Sequence, residues 1–142
     1  MSEKLVKTLI KRTCLTIREN ETINQAAQIL SVNNIGALPV LDNNGKLKGI
    51  ISERDIARST KNKEFNVNDK VSKIMTSNVI TCNASSSAFD LLEIMSSKKI
   101  RHIPIVDNHK LLGIISIGDV VNRIINRYKE ENQNLKDYIN TY

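Results

Sequence analysis

Apolar positions in this chain recur with two periods, and each period is used twice. Short apolar runs at CLTI (residues 14–17) and NVITC (78–82) predict strands. A T-x-x-Q capping box, Thr22 with Gln25, then opens a stretch with Ile23, Ala26, Ala27 and Leu30 at helical spacing. Ser87 with Asp90 opens its counterpart, which carries Ala88, Leu91, Leu92 and Met95. ALPVLD and HIPIVD follow as strands stopped by polar turns, and KLKGIIS and KLLGIIS answer as the returning arms of hairpins. A short helix over residues 54–60 closes the first half, and a much longer one closes the second. The predicted order is β-α-β-β-α, twice, with a polar connection near residues 61–69.

The halves also match residue by residue. A shift of 65 positions carries Val6 onto Val71, Thr16 onto Thr81, Ile29 onto Ile94, Ile35 onto Ile100 and Pro39 onto Pro104. The shift drops by one after Asp42-Asn43 and Asp107-Asn108, because DNNGK in the first half faces the shorter DNHK in the second. From there Lys46 pairs with Lys110, and Asp55 with Asp119. One residue gained inside a turn is what two hairpins of different loop length show. The chain is an internal duplication whose halves, each too small to stand alone, are expected to pack together through their sheets. The fold class expected is therefore mixed α+β, with an extended C-terminal helix. The segments are residues 6–62, a linker 63–70, a second repeat 71–128 and a helical extension 129–142.

Composition narrows the function. At 142 residues, 40% hydrophobic and 25% charged, the chain has the make-up of a soluble globular protein. Its apolar runs are too short to span a bilayer, and its first residues lack a signal-peptide core, so a cytoplasmic location is expected. Cys14 and Cys82 stand far apart in apolar stretches, without the clustered spacing of a metal site. The net charge of +6 admits nucleic acid, an anionic metabolite or an acidic partner. Scattered basic residues and few aromatics argue against nucleic acid. With no nucleophile–base pair, paired carboxylates or P-loop, an enzyme is not expected, nor a metal or cofactor.

The phrases GIISERD and GIISIGD admit two readings. Ser52 with Asp55, and Ser116 with Asp119, have the spacing of a helix N-cap with an acidic residue in the first turn. Gly49 and Gly113 then mark places where a neighbouring backbone comes close. Alternatively, the strand-to-helix turn faces a crevice, where the serine approaches a phosphate and the aspartate accepts hydrogen bonds from a ribose diol. The second reading suggests an adenosine-type ligand.

The ordered, doubled pattern of capped helix, h-P-h-h-D and G-I-I-S-x-x-D resembles a tandem pair of cystathionine-β-synthase (CBS) domains, a Bateman module. It covers the chain from about Val6 to Ile125. The lead-in VKTLIK departs from that pattern more than its counterpart VSKIMT. The resemblance implies two repeats packed through their sheets about a pseudo-twofold axis. It also implies a non-catalytic regulatory sensor, often homodimeric, that binds AMP, ADP, ATP or S-adenosylmethionine in two clefts and signals to another protein. By position, one cleft would set Ser116 and Asp119 against Thr16, Ile17 and the Ile35, Gly36, Ala37, Leu38 strand. The other would set Ser52 and Asp55 against Thr81, Cys82 and the Ile100, Arg101, His102, Ile103 strand. Core packing is the alternative for the apolar members, and a structural role the alternative for His102. Arg54, Arg101 and His102 make the second cleft the expected anion site. A docking scaffold with empty clefts, or less favoured a nucleic-acid-binding module, is the competing function. The last helix carries an apolar stripe at Val121, Ile124, Ile125 and Tyr128 that weakens at Asn132 and returns at Leu135, Tyr138 and Ile139, and is read either as cover for a partner subunit or as an end fraying past Lys129.

Overall fold

The structure is a computed structural model that describes residues 12–141. The predicted start of the first repeat, including Val6, lies outside the described residues. The first repeat contains β1 (Ile17–Arg18), α1 (Ile23–Asn33), β2 (Ala37–Leu41), β3 (Leu47–Ser52) and α2 (Glu53–Ser59). A 3-10 turn (Val71–Lys73) follows, then α3 (Ala88–Lys98), β4 (His102–Asp107), β5 (Lys110–Ser116) and α4 (Ile117–Thr141). This is a mixed α+β fold in two related halves.

The duplication is visible in the pairing register. β1 runs parallel to β2 with Ile17 beside Val40, and the equivalent residues Cys82 and Ile105 form a parallel bridge in the second half. Both hairpins carry an irregularity at the same place, between Val40 and Leu41 and between Ile105 and Val106. The predicted NVITC strand is reduced to that one bridge at Cys82. Asn83 explains the difference: its side chain accepts from the Ser85 N–H at 2.9 Å, which turns the chain away from β4 at once.

The missing residue falls in the hairpin loop. In the second half, Asn108 (φ 48°) and His109 (φ 65°) form a two-residue turn with both central residues left-handed. The first half needs a longer loop, in which Gly45 takes the left-handed position (φ 82°) and the Asp42 carboxylate accepts from the Asn44 and Lys46 N–H groups.

Two cores result. Ile17, Ala26, Leu30, Leu38, Val40 and Ile51 fill the first, and their equivalents Cys82, Leu91, Met95, Ile103, Ile105 and Ile115 fill the second. Sequence repeat and packing unit do not coincide, however. Val71, with Ile74 and Met75, leads the second repeat yet packs into the first core. The Val71 N–H donates to the Glu21 carbonyl at 2.8 Å, and Ile50 and Thr76 exchange both backbone hydrogen bonds.

Gly49 is required by that bridge. A Cβ there would stand 2.7 Å from Met75 Sδ and 2.8 Å from the Thr76 carbonyl oxygen. Gly49→Ala should therefore cost about 1–3 kcal/mol in urea unfolding, the range of overpacked cores. An unchanged midpoint would show that the Thr76 strand relaxes freely.

Candidate functional site

Both GIIS-x-x-D phrases are helix caps. Ser52 Oγ accepts from the Asp55 N–H at 3.1 Å while Asp55 Oδ2 accepts from the Ser52 N–H at 2.9 Å. Ser116 and Asp119 repeat the arrangement at 3.1 and 2.9 Å. The same four residues line two clefts, because each cap lies where a hairpin arm turns into a helix beside the other half of the molecule.

The cleft beside α2 joins Ser52, Glu53, Arg54, Asp55 and Arg58 to Lys99, Ile100, Arg101 and His102 from the second repeat, with Gly36, Ala37, Ile50 and Thr76 completing it. Arg54, Arg58, Lys99 and Arg101 are exposed at this cleft, against two carboxylates, Glu53 and Asp55. The field there favours an anion. Arg54 and Arg58 stand one helical turn apart, and Lys99 occupies the left-handed C-cap of α3 (φ 57°), the position Asn34 holds on α1 (φ 56°).

The cleft beside α4 is already engaged by the protein. Arg12 forks onto Asp119, with Nη1 donating to Oδ1 at 3.1 Å and Nη2 to Oδ2 at 3.0 Å. Nη2 also donates to the Ile114 carbonyl at 3.0 Å. Burial would raise the Asp119 pKa, but the hydrogen bonds from Arg12 and Ser116 outweigh it and hold the carboxyl below its ordinary value. Thr13, Asn34, Ile35, Gly36, Ala37 and His102 form the remaining walls with Ile114 and Ser116.

His102 lines both clefts, as do Gly36 and Ala37. It packs against Gly36, where a Cβ would meet its Cε1 at 3.0 Å. Burial lowers the His102 pKa, opposed by Glu53 and Asp119 and aided by Arg101. Burial thus favours the uncharged ring, which can donate from one nitrogen and accept at the other.

The structure brings Ser52, Arg54, Asp55, Ile100, Arg101 and His102 together at one cleft, and Ser116 and Asp119 with Ile35, Gly36 and Ala37 at the other. Ile17, Leu38, Cys82 and Ile103 are placed instead in the two cores. Their side chains point inward because strand neighbours alternate faces, and burial lifts the Cys82 thiol to about 11. Thr16 and Thr81 are not among the cleft walls. Thr76 replaces Thr81, carried in by its bridge to Ile50. Arg12, Thr13, Glu53, Arg58, Thr76 and Lys99 were not anticipated. The i,i+4 spacing of Arg54 and Arg58 could have revealed one of them. Nothing local marks Arg12, whose partner is 107 residues away. Among the described residues no group of His, Cys, Asp and Glu could hold a metal ion, and no helix is long and apolar enough to cross a membrane.

The CBS domain family model matches residues 6–62 and 71–126. The chain belongs to the CBS domain family. The CBS domain-containing protein YhcV of Bacillus subtilis is 35% identical over 122 residues, which are 85% of this chain and 86% of that protein. Homoserine O-acetyltransferase of Methanococcus vannielii is 36% identical over 125 residues, but the CBS pair spans only 25% of that enzyme's length. Among solved structures, the CBS-domain containing protein ATU1752 from Agrobacterium tumefaciens superposes with a TM-score of 0.79 at 36% identity, covering 85% of this chain and 96% of its own. The CBS domain pair of protein MJ0100, solved in complex with 5′-methylthioadenosine and S-adenosyl-L-methionine, gives 0.77 at 32% identity, covering 86% and 96%.

Proposed function

We propose that this CBS pair is a regulatory sensor of an adenosine-containing ligand, AMP, ADP, ATP or S-adenosylmethionine, and that it acts in the cytoplasm as a homodimer on a separate target protein. It carries out no catalysis of its own in this reading. The observation that carries it is the cleft beside α2, where Asp55 stands at the same wall as Arg54 while Arg101 and His102 close over it from the other repeat. A ribose diol donates to the carboxylate, and the guanidinium groups donate to the phosphate oxygens of a nucleotide ligand. The adenosyl ligands of the MJ0100 pair, neither of which carries a phosphate, support the ribose half of this chemistry.

A ligand so held ties one repeat to the other. It signals only if the two arrangements of the repeats bind it unequally, since occupancy alone shifts no equilibrium. The test is calorimetric titration of the full chain with AMP, ATP and S-adenosylmethionine. Micromolar binding of one of them supports the sensor; silence for all three turns the reading to a docking scaffold.

The Arg12–Asp119 fork makes the clefts unequal. In wild-type protein the cleft beside α2 fills first, because a ribose entering the other must displace a guanidinium. Arg12→Ala should tighten the weaker site about fivefold, the worth of roughly 1 kcal/mol for a half-exposed forked pair. A binding isotherm identical to wild type would show that Arg12 leaves the carboxylate accessible.

A further inference from the structure

The last helix presents a second seam that its own repeat does not use. Val120 is buried in the second core, and Ile117 and Ile124 pack against it. Val121, Ile125, Tyr128, Leu135 and Ile139 are instead exposed. With Asn132 they are separated by alternating steps of four and three residues, from 121 to 139. That is a heptad seam, with Ile125, Asn132 and Ile139 at a positions and Val121, Tyr128 and Leu135 at d positions. The helix runs unbroken to Thr141, so the seam stays aligned past Lys129, where fraying was the alternative.

We infer that α4 pairs with α4 of a second copy of this chain as a parallel two-stranded coiled coil. Four features select this occupant and orientation. Isoleucine at two of the three a positions, Ile125 and Ile139, together with leucine at one d position, Leu135, favours two parallel strands. Parallel alignment sets Asn132 against Asn132 of the second copy, where the amides hydrogen-bond each other; antiparallel alignment would set each against an apolar d residue. Flanking charges agree: Glu131, at g, faces Lys136, at e, of the second copy. An antiparallel pair would instead bring the e-position lysines Lys129 and Lys136 together, like charge against like. Glu131 is oriented within its own helix by Arg127, whose Nε lies 3.3 Å from its Oε1.

This inference rests on the homodimer reading above and not on the ligand. Its test is sedimentation equilibrium of the full chain, wild type and Leu135→Asp, with circular dichroism to verify the fold. A wild-type dimer that becomes a folded monomer in Leu135→Asp supports the coil. If the variant remains a dimer, the coil is overturned while the homodimer reading stands; a monomeric wild type overturns both. Orientation is read separately from Leu135→Cys in a Cys14→Ser background, Cys82 being buried. The parallel coil predicts a disulfide-linked dimer under mild oxidation, and a dimer that fails to cross-link overturns the parallel alignment.

Discussion

Leu38→Ala should destabilise the protein by about 2–5 kcal/mol, the range for truncating a fully buried leucine. Leu38 is 0% exposed at the centre of the first core, between Val40 on its own strand and Ile51 on β3. Truncation loses apolar burial and leaves a cavity that the flanking strands cannot fill. For a chain of this size the change corresponds to a fall of about 6–15 °C in midpoint temperature. Its equivalent Ile103, also 0% exposed, should show the same loss in Ile103→Ala. Because Val71, Ile74 and Met75 bind the start of the second repeat into the first core, either variant should unfold in one transition. Thermal unfolding followed by circular dichroism and calorimetry checks both points. Two separated transitions, with only one displaced, would show that the halves fold independently. The variant also separates two roles for Leu38: lost affinity at unchanged stability would return it to the cleft.

Asp55→Asn should weaken the adenosyl ligand by about 10- to 100-fold, which corresponds to one hydrogen bond to a charged acceptor. The substitution spares the fold more than alanine would. An asparagine carbonyl can still accept from the Ser52 N–H, as Asp55 Oδ2 does at 2.9 Å. What is lost is the second acceptor oxygen and the negative charge, so a ribose diol no longer finds a forked partner. Removing the charge from the first turn of α2 costs less than about 1 kcal/mol of stability. Affinity by calorimetry and midpoint temperature should therefore separate, the first falling steeply and the second little. Asp119→Asn provides the contrast, since Arg12 already occupies that carboxylate. Equal losses in both variants would mean that the clefts are equivalent, and no loss in Asp55→Asn would remove the carboxylate from the ligand's contacts.

These two expectations show how far local pattern reaches. Gly49 was legible as a place of close backbone approach, and Thr76 proved to be the backbone concerned. The serine–aspartate pairs were legible as caps because a capping box involves residues three apart and little else. Cleft positions for Arg101 and His102 came from the resemblance to tandem CBS domains, and both residues line the cleft beside α2. Cys82 and Ile17, assigned to the clefts in the same way, are buried in the two cores, Ile17 on β1 and Cys82 at its single bridge to Ile105.

The sequence by itself determined the duplication, the order of elements, the caps and the hairpin turn that absorbs the extra residue. All of these depend on interactions within a few positions, or on comparing one half with the other. Only the tertiary structure decided that Arg12 closes on Asp119, that His102 lines both clefts and that residues 71–75 complete the first core. Those contacts join segments distant along the chain, and no periodicity or local spacing records which distant partner a side chain will meet.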